Sequence, residues 1–443
     1  MEFIIPDYVS KTLSMLEHAG FEAFIVGGCL RDLILGKLPS DYDVATSANP
    51  DEIQDVFKDL KMILVGKQFG AIVVVHQEGN IEVTTYRTEG EYKDGRRPSN
   101  VTFTTNIYED LSRRDLTINS IAYNKKNGIV DPFNGMQDIK NGIIRAVGNP
   151  YDRFNEDHLR IIRSVRFSTQ LNFRIEKETY NACKELSSKI DSVSYERIRD
   201  ELFKILLSDI PSNGIRIMER LGLLEVIIPE LLFTIDFNQQ NPNHDRTVFE
   251  HILCVLDNTP PVLTIRVAAL LHDIAKPITF SIDEKGIGHF YGHDKKGAEL
   301  SREILTRLRC SREFTNRVII LVSEHMHHAS IKEKGIKRQL KRVGEDNIFD
   351  LIELKKADMK CKSGNKDMSK LLYYENLIRE LIKNKVPYEK KHLNIDGNDI
   401  IDLGFEPGKG IGEILDYLME KVLENPELNE RDTLIEIIRK HKI

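Results

Sequence analysis

A chain of 443 residues has room for two to four domains at about 100–200 residues each. Its 41% hydrophobic and 30% charged residues exclude wholesale disorder and a collagen-like repeat, and no apolar run approaches the ~18 residues of a membrane span. The net charge of −6, taken globally, weakly disfavours a nucleic-acid partner.

In chain order, the opening MEFIIPDYVS has no basic leader and no long apolar stretch, so no secretory signal is expected. Apolar spacing predicts helices over 7–19 and 51–60, and strands rich in Val, Ile and Thr over 23–26, 71–76, 81–86 and 142–147. From about residue 155 the spacing becomes almost wholly helical, as in Leu159, Ile162 and Val165, then Ile198, Leu202, Ile205 and Leu206. Asn-Pro-Asn at 241–243, Thr-Pro-Pro at 259–261 and Lys-Val-Pro at 385–387 punctuate the helical part. The expected fold class is α+β: an N-terminal head with a small mixed sheet, then all-α modules, with boundaries near 145, 235 and 370. Five scattered cysteines (Cys29, Cys183, Cys254, Cys310, Cys361), never spaced as CxxC, predict a reducing cytoplasm, no disulfide framework and no cysteine-based zinc site.

The most informative stretch is FIVGGCLRD (24–32), followed by SDYDV (40–44). An apolar strand running into Gly27 and Gly28 lets the backbone approach a ligand, and the helix that follows aims N–H groups and Arg31 at an anion such as a triphosphate. On a strand, Asp41 and Asp43 share a face. Two carboxylates so placed repel unless a cation sits between them, and hard oxygen ligands suit Mg²⁺. Glu82 is a candidate third carboxylate, with an outward-facing strand residue as the equal alternative. Further on, EDHLRIIRSVR (156–166) predicts one helix with Asp157, Arg160, Arg163 and Arg166 along a stripe opposite Leu159, Ile162 and Val165. A carboxylate beside a guanidinium complements the amino donor and ring-nitrogen acceptor that cytosine and adenine share, and mismatches uracil and guanine.

GGCLRD, DYDVAT, EDLSRRDLTINSIAY (109–123), DPFNG (131–135) and EDHLRIIRSVRF resemble, in the same order, the class II nucleotidyltransferases: the bacterial-type CCA-adding tRNA nucleotidyltransferases and the bacterial poly(A) polymerases. The resemblance implies that Asp41 and Asp43 are the catalytic, Mg²⁺-binding carboxylates. It gives Gly27, Gly28 and Arg31 the triphosphate and Arg114 the nucleotide or its phosphates, with Asp110 and Asp115 orienting the arginines. Asp157 and Arg160 would be the template for CTP and ATP, and Arg163 and Arg166 would support the site or bind phosphate. The implied function is addition of C and A to the tRNA 3′ end, with an A-adding enzyme or a poly(A) polymerase as the alternative and the tRNA acceptor arm as partner. The polar segment 88–98 reads as a mobile loop whose presence favours A incorporation, and GKQFG (66–70) resembles the CCA-adding form.

A second constellation runs from His251 through His272-Asp273, His289, His293 and His325 to Asp358. This series resembles the HD metal-dependent phosphohydrolase domain. Its core set would be His251, His272, Asp273 and Asp358, joined by His293 and His325 in a binuclear site, holding Mn, Fe, Ni, Co or Zn. Hydrolysis of phosphate esters or 2′,3′-cyclic phosphates is the implied alternative activity. A basic run, Lys332, Lys334, Lys337, Arg338, Lys341 and Arg342, is a candidate phosphate-contact strip, and Gly404, Pro407, Gly408 and Gly412 precede or open a tail helix over 411–423 that resembles the tRNA-binding tail. The division expected is head 1–145, base-reading neck 146–235, HD module 236–370 and RNA-binding tail 371–443.

Overall fold

Residues 3–66, 69–90, 100–241, 245–327, 332–363, 367–384 and 386–441 are described by a computed structural model. Lys67 and Gln68 of the GKQFG motif, most of the 88–98 segment, Pro242, Asn243, Ile331 and Lys385 lie outside the described residues. The chain forms two units, Met1–Pro229 and Glu230–Ile443.

The first unit opens with α1 (Asp7–His18), whose Val9, Leu13 and Leu16 are buried one turn apart. β1 (Ala23–Val26) is buried on both faces, which explains its uninterrupted apolar run. It leads into α2 (Gly28–Ile34) and β2 (Tyr42–Thr46). α3 (Pro50–Val56) starts where Pro50 follows the Asn49/Glu52 capping box, and it ends short of the expected residue 60. β3 (Lys61–Gly66), β4 (Ala71–Val75), β5 (Asn80–Thr85), β6 (Arg87–Glu89), β7 (Val101–Phe103), α4 (Ile107–Ser112), β8 (Ala122–Asn124), β9 (Gly128–Val130) and α5 (Gly135–Asn141) complete the head.

Seven strands make one mixed sheet in the order β3-β4-β5-β2-β1-β8-β9, the mixed sheet expected of the head. Only the β2–β5 pair is parallel, and it sets Asp43 opposite Glu82. One face packs on α1, α2 and α3 through Ile25, Val44 and Val83; the other buries Phe24, Val26 and Ala45 against Ile107 and Leu111 of α4. The strand expected over 142–147 shrinks to β10 (Ile143–Ile144), which pairs with a two-residue strand that follows the next two helices, while Ala146 makes a single bridge to Leu116.

The helical part of this unit begins with α6 (Pro150–Glu156) and α7 (Leu159–Leu171). β11 (Arg174–Ile175) pairs in parallel with β10. α8 (Lys177–Glu185), α9 (Tyr195–Leu206), α10 (Pro211–Arg220) and α11 (Leu223–Ile227) follow.

The second unit is helical apart from a short hairpin. α12 (Val248–Asn258) and α13 (Leu263–Leu271) precede β12 (Ser281–Ile282) and β13 (Gly288–His289). Then come α14 (His293–Arg307), α15 (Arg312–Glu324), α16 (Glu333–Val343), α17 (Glu345–Cys361) and α18 (Ser369–Lys383). α19 (Gly397–Asp402), α20 (Lys409–Glu424) and α21 (Arg431–His441) close the chain.

Two expectations are corrected here. Cys254 on α12 and Cys361 on α17 are joined as a disulfide, although 107 residues separate them in sequence; scattered spacing hides a pairing that helix packing creates. The basic run on α16 is not a free strip. Lys334, Arg338 and Lys341 face Glu424, Glu420 and Asp416 of α20, while Lys337 and Arg342 pair with Glu333 and Glu324. Its carboxylate partners come from α20, from the end of α15 and from α16 itself.

Candidate active site and metal centre

In the first unit, a cavity of about 440 Å³ is lined by Gly27, Gly28 and Arg31 from the β1–α2 turn, Asp43 from β2, Arg114 and Asp115 after α4, and Asp157, Arg160 and Arg163 from the α6–α7 segment. Gly27 sits at φ 77°. That left-handed backbone favours glycine, and a Cβ there would press on Arg114 Nη1 at 3.2 Å and touch Asp43 Oδ2 at 3.6 Å. Arg31 donates to Asn119 Oδ1 at 2.9 Å and to Asp32 at 2.7 Å. Asp41 lies exposed just ahead of β2, bonded by Ser40 at 2.9 Å, and is not part of the cavity lining. Burial, with the charges of Glu82 and Asp41, pushes the Asp43 carboxyl up to about 6 against the pull of Arg114. A carboxyl crowded by two others beside an arginine-lined cavity fits a divalent cation, which would relieve the repulsion.

The arginines are held by buried carboxylates. Asp110, fully buried, accepts from Arg113 at 2.7 Å and from Arg114 at 3.0 Å. Burial raises its pKa, but those two guanidiniums outweigh burial and hold it below the usual carboxylate range. Asp115 receives Arg163 Nε at 2.7 Å rather than either neighbouring arginine. Phe167 is a shared apolar floor, with Arg166 3.8 Å, Arg31 5.0 Å and Arg163 5.6 Å from its ring centroid.

The 156–166 segment differs from the single helix expected. α6 ends at Glu156, Asp157 is extended, and its Oδ1 accepts from Leu159 N at 3.1 Å, so the carboxylate starts α7 instead of continuing α6. Asp157 is held by Arg197 of α9 at 2.7 Å and 3.2 Å. Arg160 is buried, bonded to Glu156 at 2.5 Å and to the Arg113 carbonyl at 3.1 Å. Asp157 and Arg160 therefore share the cavity without spending their polar edges on each other. Arg166 turns to Glu201 at 2.8 Å, and it is not among the cavity-lining residues. Sequence reasoning missed Asn119 and Arg197, and it gave Arg113 no role beyond its pairing with Arg114. Arg197 sits in the heptad-like run around Ile198, where only the apolar spacing was informative.

In the second unit, two triads share one carboxylate: His251, His272 and Asp273, and Asp273, His293 and His325. Asp273 Oδ2 lies 3.4 Å from His251 Nε2 and 3.2 Å from His272 Nε2; Oδ1 lies 3.4 Å from His293 Nε2 and 3.7 Å from His325 Nε2. Asp358 Oδ1 is 3.1 Å from His251 Nε2. The rings of His272, His293 and His325 turn Nδ1 to the carbonyls of Ala269, Phe290 and Val322, at 2.8, 2.6 and 2.6 Å. A carbonyl can only accept, so each Nδ1 carries a proton, and in the neutral ring Nε2 is the acceptor aimed inward. His293 and His325 bring these Nε2 atoms to 3.3 Å of each other, an arrangement of facing lone pairs that a cation would stabilise. All six sequence-predicted ligands are thus brought together, whereas His289 instead bonds Asp283 at 2.9 Å. Lys276 and Lys362 approach Asp273 and Asp358 at 2.8 Å and 2.5 Å, beside a cavity of about 620 Å³.

A mixed sheet that carries Gly-Gly, a carboxylate edge and an arginine-lined cavity defines a nucleotidyltransferase, and the Poly A polymerase head domain matches residues 23–145. The probable RNA and SrmB-binding site of polymerase A matches residues 172–233, and the HD domain matches residues 244–363. The CCA-adding enzyme of Ligilactobacillus salivarius (strain UCC118) is 32% identical over 440 residues, which span 98% of this chain and 97% of that protein. That of Streptococcus mutans serotype c (strain ATCC 700610 / UA159) is 31% identical over 440 residues, 98% of each chain. The Bacillus stearothermophilus CCA-adding enzyme in complex with CTP superposes with a TM-score of 0.76 at 25% identity, covering 99% of both chains. The chain belongs to the CCA-adding enzymes.

Proposed function

We infer that this enzyme adds C and A from CTP and ATP to the 3′ end of tRNA, releasing pyrophosphate, and that the cavity beside Asp43 is where it does so. The observation that carries the reading is the meeting of Asp43, the Gly27–Gly28 turn and the Asp157/Arg160 edge in one cavity. Arg31 and Arg114 offer guanidiniums to the triphosphate, and Gly27 lets it approach the backbone. Asp157 and Arg160, each oriented by its own partner, read the edge that cytosine and adenine share. Arg163 positions this edge, and Arg166 supports it from Glu201. Mg²⁺ held by Asp41 and Asp43, when bound, supplies activation of the 3′-hydroxyl and neutralisation of developing charge. The division of labour is head 1–145, neck 146–235, HD module 236–370 and tail 371–443, and the enzyme works in the cytoplasm.

The experiment is to give tRNA lacking its terminal CCA to the enzyme with CTP alone, ATP alone and both, and to read the added length. Addition of two residues with CTP and three with both is expected, with all addition lost in Asp43→Ala. Addition of long A tracts, or full transfer by a folded Asp43→Ala variant, would overturn the reading.

A second reading concerns the other unit, where the inward Nε2 atoms of His272, His293 and His325 favour a binuclear metal centre. There His251, His272, Asp273 and Asp358 would hold one divalent transition metal and His293 and His325 would complete a second. A metal there supplies an activated water for phosphate-ester hydrolysis, with Lys276 and Lys362 placed to receive the phosphate.

A further inference from the structure

Neither nucleotidyl transfer nor metal ligation uses Cys254 and Cys361, yet their placement is tied to the metal centre. On α12, Cys254 follows His251 by three residues; on α17, Cys361 follows Asp358 by three. Three residues are close to one helical turn, so each cysteine lies on the same face as a ligand, next to it along the axis. His251 and Asp358 face each other at 3.1 Å, and one turn further on Cys254 and Cys361 are joined with their Cα atoms 5.9 Å apart. That separation falls within the roughly 4.4–6.8 Å that a disulfide spans. Asn258 donates to both sulfurs, at 3.8 and 3.7 Å. Cys254 is half-buried and Cys361 is buried, so Cys254 is the more accessible residue of the pair. The remaining cysteines are unlike this pair. Cys29 and Cys183 are buried, burial pushes the Cys29 thiol up to about 12, and Cys310 is not joined to another cysteine.

We propose that Cys254 and Cys361 form a reversible thiol–disulfide pair that sets how tightly the histidine–aspartate centre grips its divalent ion, a proposal that rests on the metal-centre reading above. The co-substrate is a small-molecule disulfide such as oxidised glutathione. The Cys254 thiolate attacks one of its sulfurs, the external S–S bond breaks, and one thiol leaves with a proton. The Cys361 thiolate then attacks the Cys254 sulfur of the mixed disulfide, and the second thiol leaves with a proton. Two cysteines are oxidised by two electrons and one external disulfide is reduced to two thiols. Closing the bridge pins α12 to α17 at the spacing that sets His251 against Asp358; opening it frees both helices to adjust one turn from the ligands. Outer supports of this kind change metal affinity by about 10–100-fold when removed.

The full chain, stripped with a chelator, is prepared reduced and, separately, oxidised with glutathione disulfide, then desalted. Free thiols are counted in denaturant, the 254–361 linkage is sought by peptide mass, and Co²⁺ is titrated by its visible absorption. Oxidation is expected to remove two thiols into that linkage and to lower the Co²⁺ half-saturation concentration by at least about fivefold. Cys254→Ser and Cys361→Ser should bind Co²⁺ as the reduced wild type does, in either redox condition. An unchanged thiol count, or a linkage elsewhere, overturns the proposal. So does a formed bridge with the same Co²⁺ half-saturation, which leaves the metal-centre reading standing. No Co²⁺ uptake in either form overturns both, and the thiol count still reports the bridge by itself.

Discussion

Burial by itself would push Asp115 toward neutrality, but Arg163, bonded at 2.7 Å, and the nearby Arg160 hold its carboxyl well below the usual carboxylate range. The same carboxylate accepts from Leu116 N at 2.9 Å and Asn119 at 3.3 Å, and Asn119 in turn receives Arg31. One charge therefore ties the loop after α4 to α7 and, through Asn119, to α2. A depressed carboxyl contributes stability that is fully present above its unfolded value of about 4 and fades as pH falls through that value toward the folded one. Asp115→Asn keeps the shape and removes the charge. It should destabilise the protein by about 2–3 kcal/mol at pH 7 and by clearly less at pH 3, read by urea denaturation at both. An equal loss at the two pH values would show that the charge is not what matters.

Helix packing adds a constraint that single residues do not reveal. At Gly214 of α10 an added Cβ would lie 2.4 Å from Ile205 of α9 and 2.7 Å from Thr169 of α7, so the three helices meet at a point with no room for a methyl group. Gly214→Ala, harmless to an isolated helix, should cost about 1–3 kcal/mol through overpacking, seen as a lower melting temperature. An unchanged or raised melting temperature would mean that the helices can spread. The same dependence on distant partners limits what the sequence reveals. The strand at 23–26 was legible because both its faces are buried, and the helix at residue 7 because its apolar face repeats every turn. The break at Asp157 was not: its carboxylate caps Leu159 N locally, but it is also held by Arg197, forty residues on and on another helix. The histidines and aspartates of the second unit were legible as a series of metal-ligand types. The bridging position of Asp273 was not, because only the packing of α13, α14 and α15 brings both of its oxygens to histidines.

For the whole molecule, the net charge of −6 is a sum that conceals two different local arrangements. In the first unit Arg31, Arg113, Arg114, Arg160, Arg163 and Arg197 converge on one cavity, which suits a triphosphate and an RNA end. In the second, the basic run on α16 is answered by α20, and the conspicuous charges are the carboxylates Asp273 and Asp358 among histidines. Each unit holds its own candidate centre, and among the described residues each centre is built from one unit's side chains. Their chemistry should therefore separate. Asp273→Ala removes the carboxylate common to both triads, so Co²⁺ uptake at that centre should fall to background. Addition of C and A to tRNA should stay within about twofold of the unaltered enzyme, as expected for sites that share no residue. Asp43→Ala should do the reverse, ending nucleotide addition while the Co²⁺ titration is unchanged. Loss of both properties in a folded Asp273→Ala protein would show that the transferase requires the second centre intact, and the two units would then have to be treated as one machine.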